Sequence, residues 1–509
     1  MPLPPPMRAR AGAKIVVRRF AFEGARLLPD AALRSAVAPY VGRPLDFNGL
    51  RAAPVAVAAA YRRAGWIVRT YLPVQDIRDG VVTIQVVEAR FGTARAVGRA
   101  SHIRPRLAIA LATAPLRPGE PISAAALDRG LLLAGDLPGV NVVGALGPGT
   151  GDRQTDLTLT LSDSPLVSGA VTVDNGGERA TGAARGIASL SVAGLLGRGE
   201  ALDATAIHSR GADYLGGEIG AAAGSSGLRL AIAGSYLRYR LTAADFAALN
   251  ATGDSTALGV SARYPLVRSR ARNLFLTARF QHKTFRNDAS GQTVSRYGVD
   301  EGEVSLAGNL FDRLGGTNTV ALAVTLGALD LDGSPNAAVD ALTTRAAGRF
   351  GKFAYTLGRR QPLGRDIFAT VDVSGQLATK NLDSSEKIYL GGPDSVRAYP
   401  ANEAGGAEGE MVDVAIERRL PRNLTLTAFY DWGHVTINRD NRFAGGAPVN
   451  AESLQGAGIT VSWRPVPRAT VRATWSHRLG ENPNPTAFGF DQDGSLVRNR
   501  IWVVASFGF

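Results

Sequence analysis

The chain has 509 residues, 57 Lys and Arg against 44 Asp and Glu, a formal net charge of +13, 60 glycines and no cysteine. A charged fraction of 20% with a mean hydropathy of +0.00 excludes both a disordered chain and a bundle of membrane-spanning helices, and the length allows two or three domains. Missing cysteines remove disulfides and thiolate metal sites. The basic residues are dispersed, without a lysine-rich run, which argues against nucleic acid as a partner.

The first seven residues, Met1-Pro2-Leu3-Pro4-Pro5-Pro6-Met7, lack the apolar core of a secretory signal and read as an extended, poorly ordered lead-in. The mixed apolar and basic run 15–22 reads as a half-buried strand. A short helix over 29–37 and a longer alanine-rich helix over 46–64 follow. The second begins at an Asp46 cap, stops at Gly65 and contains Pro54, which predicts a kink or a later start. Strands at 66–73 and 81–88 come next, with Asp79-Gly80 as the turn signal between them. The order then recurs: a strand at 89–97, helices at 104–112 and 123–134 with Ser123 as cap, and strands at 140–146 and 155–161 around the turn 147–151. Two units of similar length and order are an internal duplication.

These units resemble the periplasmic POTRA domains of the Omp85 superfamily, and Arg19-Phe20-Ala21-Phe22-Glu23-Gly24 resembles the first-strand phrase that opens such a domain. That fold implies an exposed sheet edge to which an extended peptide can add as a strand.

From about Val167 the helix signals stop. Segments of about ten residues alternate in character, as at 228–240, 274–283, 320–326, 366–377, 424–430, 459–463 and 470–477. Breaks fall at 224–227, Asn287-Asp288, 332–336 and 438–448. About ten residues is the length of a tilted strand crossing a bilayer, and about 340 residues at roughly 20 per strand and turn predicts about 16 strands. Backbone groups in hydrocarbon must all pair, which demands closure into a barrel. The end of the chain places Ile501, Val503, Ala505, Phe507 and Phe509 on one face. A final strand ending on Phe509 resembles the C-terminal signal of bacterial outer-membrane barrels.

The stretch Tyr389 to Pro400 frames one arginine and one aromatic with turn residues, and we read it as a loop folded back into the pore. Ser395-Val396-Arg397-Ala398-Tyr399 resembles the VRGY/F motif of the superfamily's sixth extracellular loop. Phe429-Tyr430-Asp431-Trp432-Gly433 resembles the FxDxG motif of a barrel-wall strand, on Phe429, Asp431 and Gly433. The segment from Asp174 to Gly182 looks like the lead into the first barrel strand. With two POTRA-like units ahead of a barrel, the chain resembles the TpsB transporters of two-partner secretion (the FhaC/ShlB/HecB type). The expected division is a Pro-rich segment at 1–13, POTRA-like domains at 14–88 and 89–163, and an outer-membrane β-barrel at 164–509 with an in-folded loop at 385–410.

The resemblance implies an Arg397–Asp431 pair inside the lumen, where an arginine needs a carboxylate to receive its fork. Gly433 would let the loop approach the wall. Ala398 stands where the family has glycine, and would be strained if that position needs a positive φ. Arg229, Arg238, Arg240, Arg279 and Arg349 are expected on lumen walls or at interfaces, and Trp463 and Trp475 as interface anchors.

No G-x-S-x-G, P-loop or G-x-G-x-x-G occurs, and His102, His208, His282, His434 and His477 are scattered without metal-ligand spacing. No catalytic, cofactor or metal site is therefore expected. The resemblance implies an outer-membrane translocator with POTRA domains in the periplasm. They would capture an unfolded TpsA-type adhesin or haemolysin, and the barrel would export it. Further partners implied are outer-membrane lipid and the assembly machinery that inserts barrels. The family's plug helix and a signal peptide are not visible ahead of Ile15. The alternatives are an Omp85-type outer-membrane assembly factor, which usually carries more POTRA units, and a passive porin or an enzyme barrel.

Overall fold

The computed structural model describes residues 4–8, 14–151, 154–446 and 448–509, the side chains of 245–247 excepted. The chain divides into two compact units, one up to Ser164 together with the turns 196–199 and 224–227, and one of the remaining residues from Pro165.

The first unit contains the duplicated pattern. Its first half runs β1 (Ile15–Val16), β2 (Arg19–Glu23), α1 (Asp30–Val37), β3 (Pro44–Leu45), α2 (Phe47–Arg63), β4 (Val68–Tyr71) and β5 (Val81–Glu88). The expected strand at 15–22 is thus broken in two: Ile15 and Val16 pair with β3, whereas β2 runs parallel to β5. The order β2-β5-β4 puts Val82, Ile84 and Val86 on one face, against Leu33, Val37, Leu50, Val57 and Tyr61 from the helices. α2 continues through Pro54; Asp46 caps it by accepting from the Gly49 amide at 2.8 Å, and Thr70 Oγ1 donates to the Pro54 carbonyl at 2.7 Å. One carboxylate is buried here, Glu88, and it is satisfied by the amides of Arg26 and Leu27 at 2.6 and 2.7 Å and by the Tyr61 hydroxyl at 2.9 Å.

Two expectations change. Asp79 and Gly80 do take positive φ, 52° and 69°, but they close a long connection, because β4 ends at Tyr71. Beyond it the Gln75 carboxamide replaces the ladder, accepting from the Thr83 amide at 2.6 Å and donating to its carbonyl at 2.8 Å. Residues 4–8 of the Pro-rich lead-in are ordered against this edge. Met7 donates to the Leu72 carbonyl at 2.8 Å, Val74 donates to the Pro5 carbonyl at 2.9 Å, and Pro6 bridges Pro73.

The second half runs β6 (Arg90–Gly98), α3 (Pro105–Thr113), α4 (Ala124–Gly135), β7 (Val140–Pro148) and β8 (Gln154–Asp163), with sheet order β6-β8-β7. Leu157, Leu159 and Leu161 of the central strand are buried. α3 and α4 meet so closely that a Cβ on Gly130 would lie 2.1 Å from the Ala112 carbonyl oxygen. The halves are joined without a linker: Ile122 donates to Ala89 at 2.8 Å and Ala124 to Gly65 at 2.9 Å.

The second unit is a closed antiparallel barrel of sixteen strands among the described residues. They are β9 (Val167–Asp174), β10 (Arg185–Ala193), β11 (Ala201–Ser209), β12 (Ala212–Ala222), β13 (Arg229–Arg240) and β14 (Thr252–Arg268). Then come β15 (Arg272–Ala289), β16 (Gln292–Phe311), β17 (Thr317–Asp330), β18 (Gly348–Pro362) and β19 (Ile367–Ala378). After a short helix, α5 (Ala337–Leu342), between β17 and β18, the loop beyond β19 contributes the small ladder β20 (Ile388–Leu390) and β21 (Ala404–Gly406). The wall resumes with β22 (Glu408–Leu420), β23 (Leu424–Thr436), β24 (Ala451–Trp463), β25 (Ala469–Arg478) and β26 (Asn499–Gly508). Turns at one end are short, as at 269–271, 363–366 and 421–423, whereas 379–407 and 479–498 at the other end are long, the asymmetry of outer-membrane barrels.

The strands alternate, with Leu230, Ile232, Leu258, Val260, Ile501, Val503 and Phe507 exposed on the outer face. Trp463 and Trp475 share that face. Arg279 lines the interior, while Arg238, Arg240 and Arg349 are exposed near the long-loop end. Three local expectations fail. Asn287 and Asp288 carry a register shift inside β15, and the turn follows at Ser290-Gly291, where φ is positive. β15 and β16 reach 18 and 20 residues, so their hairpin extends well past a bilayer. Asp174 ends the first strand, so the segment to Gly182 follows that strand and does not lead into it.

Barrel closure joins β26 to β9 over five residue pairs, Val504↔Asp174 to Gly508↔Ala170. Phe509 extends the seam at one end, its amide donating to the Gly169 carbonyl at 2.9 Å. At the other end the Asn175 carboxamide donates to the Ile501 carbonyl at 2.9 Å and accepts from the Val503 amide at 2.8 Å.

Candidate functional site

The long loop after β19 lies inside the barrel. Gly391 and Gly392, at φ 100° and 97°, turn it where a side chain would be strained. The tip then folds on itself: Gly392 donates to the Tyr399 carbonyl at 3.1 Å and Tyr399 to the Val396 carbonyl at 3.1 Å. This leaves Val396, Ala398 and Tyr399 fully buried against Leu390, Val435 and Leu454. Ser395 Oγ donates to Met411 Sδ at 3.2 Å.

Arg397 points at the wall. Its backbone amide and its Nε both donate to Asp431 Oδ2, at 2.9 and 2.8 Å, and its Nη2 donates to Asp431 Oδ1 and Asp413 Oδ2. The guanidinium also lies 3.4 Å from the centroid of the Phe429 ring. The Arg397 carbonyl accepts from Ser476 Oγ at 2.7 Å and Trp502 Nε1 at 2.8 Å. Asp431 is 0% exposed. A bidentate fork, an aromatic face and a saturated backbone fix this one residue in every direction.

Two glycines make the approach possible. A Cβ on Gly433 would lie 2.7 Å from Leu390 Cδ1, and one on Gly456 would lie 2.5 Å from the Ala398 Cβ. Ala398 itself is not among the residues with positive φ, so the feared backbone strain is absent. The extra methyl is accommodated by Gly456 on the facing strand.

The sequence reading missed how many further charges hold the loop. Asp413 lies directly across from Asp431, and Asp372 across from Asp413, a row of carboxylates on three adjacent strands that only the register reveals. At the root of the loop, Glu386 is almost wholly buried and accepts from Lys283 at 2.9 Å and Lys352 at 2.6 Å, while Lys283 also meets Glu301 at 2.8 Å. Past the tip, Glu403 accepts from the Gln492 amide at 3.0 Å and from Asn482 Nδ2, which ties it to the loop 479–498. Asp491 of that loop, also 0% exposed, receives Arg478 at 2.5 Å, Arg500 at 3.0 Å and Asn482 at 2.9 Å. Arg478 stacks 4.3 Å from the Tyr399 ring centroid. Glu403 lies outside the spanning strands; burial, aided by the Asp491 charge, pushes its carboxyl up to about 7.

The family model described as haemolysin secretion/activation protein ShlB/FhaC/HecB matches residues 153–461, and a POTRA domain model, ShlB-type, matches residues 15–89. The heme/hemopexin transporter protein HuxB of Haemophilus influenzae (strain 86-028NP) is 25% identical over 454 residues, 87% of this chain and 80% of that protein. The solved structure of CdiB from Escherichia coli superposes with a TM-score of 0.70 at 21% identity, covering 98% of this chain and 91% of that one. BamA from Haemophilus ducreyi lacking POTRA domains 1–3 gives a TM-score of 0.59 at 12% identity, over 98% of this chain and all of that one, a likeness of fold. The chain belongs to the ShlB/FhaC/HecB family of the Omp85 superfamily, whose members reside in the outer membrane with POTRA domains in the periplasm and translocate a secreted partner protein.

Proposed function

We propose that this translocator exports a TpsA-type polypeptide as an extended chain, and that the loop 385–410 is the element that must hold its place for export. The carrying observation is the seat of Arg397, whose side chain, amide and carbonyl are all engaged by the wall. The reading divides the chain into the segment 1–13, POTRA-like domains at 14–88 and 89–163, and the barrel from 164. Capture falls to the first two domains, by strand addition and helix-groove contact. The edge past β4 already takes an extended segment, residues 4–8, and the start of β6 is bonded to residues 119–122, which leaves β2, the part of β6 beyond Phe91 and the β7 edge as sites for a partner strand. Transport is the activity assigned, with no catalytic step. Ser395, Val396, Ala398 and Tyr399 shape the tip, Phe429 and Gly433 receive it, and Phe509 closes the last strand.

The test is export of a TpsA-type partner produced together with this chain. Arg397→Ala should reduce secretion at least about tenfold while the heat-modifiable, folded barrel still accumulates in the outer membrane. Wild-type secretion by that variant would remove the loop from the mechanism. Pull-down with the full chain separates the assembly-factor reading: one large secreted protein supports a translocator, and many nascent barrel proteins oppose it.

A further inference from the structure

Below the loop tip the barrel encloses a chamber of about 850 Å³. Arg397 and Asp394 lie on its loop side, and it reaches the short turns at 421–423 and 464–468. Its charges are unevenly matched. Arg397 is consumed by Asp431 and Asp413. Arg185 is held by Asp174 at 2.9 Å. Arg360 and Arg419 share the single carboxylate Glu417, at 2.7 and 3.4 Å, and lie 3.9 and 4.6 Å from the centroid of the same ring, Phe368.

Arg464 and Arg472 remain. Arg472 stands on β25, paired with Ser462 of β24, and Arg464 follows directly after the end of β24 at the turn 464–468; both line the chamber. Both are exposed to the chamber, and neither guanidinium has a carboxylate or hydrogen-bond partner among the described residues. A buried structural arginine would be paired; two free ones beside a shared carboxylate leave positive charge at the turn end of the chamber, where Asp394 on the loop side is the one lining carboxylate that none of these arginines meets. Low-dielectric walls focus that field, which concentrates anions and repels cations.

We propose that this chamber binds acidic side chains of the polypeptide in transit, with Arg464 and Arg472 as the carboxylate receptors. Two guanidiniums lining one chamber suit carboxylates along an extended segment, where side chains on one face recur every second residue. Arg360 and Arg419, held over the Phe368 ring, add charge without swinging into the path. This rests on the export reading, but its test does not depend on secretion.

The purified full chain in detergent is titrated against fluorescently labelled hexaglutamate and hexalysine peptides, with binding read by anisotropy. Hexaglutamate should bind, with affinity falling as salt rises, and hexalysine should not. Arg464→Ala with Arg472→Ala should weaken hexaglutamate binding about tenfold or more, and the paired lysine substitutions should keep most of it. Arg238→Ala with Arg240→Ala, exposed near the long-loop end, should have no effect. Equal binding by the Arg464/Arg472 alanine variant, or an equal loss in the Arg238/Arg240 variant, overturns the site. Competition by free glutamate at matched carboxylate concentration, as strong as by the peptide, overturns its preference for a chain. Lost secretion in Arg397→Ala alongside intact peptide binding upholds the chamber, and retained secretion there with lost binding in the chamber variant sinks only the loop's role.

Discussion

In the first POTRA-like half, Val57, Tyr61, Val82 and Ile84 are 0% exposed, and the one carboxylate among them, Glu88, is satisfied by neutral donors. The lumen loop is as dry at its tip, yet its anchors are ionic: Arg397 with Asp431 and Asp413, Glu386 with Lys283 and Lys352, and Glu403 beside the Arg478–Asp491–Arg500 cluster. Apolar burial is non-directional and adds over area. Buried pairs are different: each offsets its own desolvation, and losing one member leaves an uncompensated charge. A domain held by the first kind of contact unfolds as a whole. A segment held by the second can leave its seat as a unit once water or a passing chain supplies new partners. The contrast fits periplasmic domains that stay folded and a pore segment that can move.

The largest break in this contrast should come from Asp431→Ala. It strands Arg397 beside Asp413 alone and should loosen the docked tip by about 3–5 kcal/mol. Because the natural chain has no cysteine, a single one introduced in place of Leu390, which is buried in the docked loop, reports the change as faster thiol labelling. Combining Asp431→Ala with Arg397→Ala should add little to either alone; full additivity would mean that the two act apart. Ile84→Ala should cost the first unit about 2–5 kcal/mol, seen as earlier proteolysis there, with the Leu390→Cys probe still protected. Labelling that rises equally in both variants would erase the distinction between the regions.

Glu386→Gln should have a smaller effect, about 1–3 kcal/mol, because it removes one charge from between two lysines of which Lys283 keeps Glu301. The expected signature is increased protease cutting near residue 386 with the Arg397 seat intact. Unchanged cutting would show that the root is held by Gln376, which donates to the Glu386 carbonyl at 2.9 Å, and by Tyr297 on Asp383 at 3.0 Å.

Acidity should adjust the same loop more gently. Glu403 holds its proton in the folded loop up to about pH 7, against an ordinary value of 4.5. The docked state therefore binds more protons than the undocked one between those values, and docking should weaken as pH rises from about 4.5 to 7. The Asp491 and Asp493 charges beside Glu403 act in the same sense. Labelling of the loop probe should be slower at pH 5.5 than at pH 8, and Glu403→Gln should flatten the dependence. An unchanged slope in that variant would place the titration elsewhere.

Much of this was legible in the residues. Strand count and closure followed from roughly ten-residue alternation and from the absence of unpaired backbone in lipid. The Arg397 and Asp431 motifs stood out because their flanks are unusual. What stayed hidden depends on register and long-range contact. Asp413 is an ordinary acid until pairing sets it across from Asp431, and Glu386 sits in a serine-rich turn with no local sign of its lysines, more than 30 and 100 residues away. The lead-in at residues 4–8 was misread because proline lacks a ladder donor, yet carbonyls and the Met7 amide are enough to seat it.

The smallest expected effect concerns Ala398 at the loop tip. Ala398 keeps an ordinary backbone, so Ala398→Gly should cost less than about 1 kcal/mol, chiefly through a freer undocked chain. The methyl fills the space left by Gly456, so Gly456→Ala should be worse, because its Cβ would press on the Ala398 Cβ at 2.5 Å and within 3.2 Å of the His477 carbonyl oxygen. Ala398→Gly in the Gly456→Ala background should then restore most of the protection of the Leu390→Cys probe, since one methyl would again occupy the gap. If the double variant labels as fast as Gly456→Ala alone, the wall carbonyl and not the exchanged methyl sets the fit.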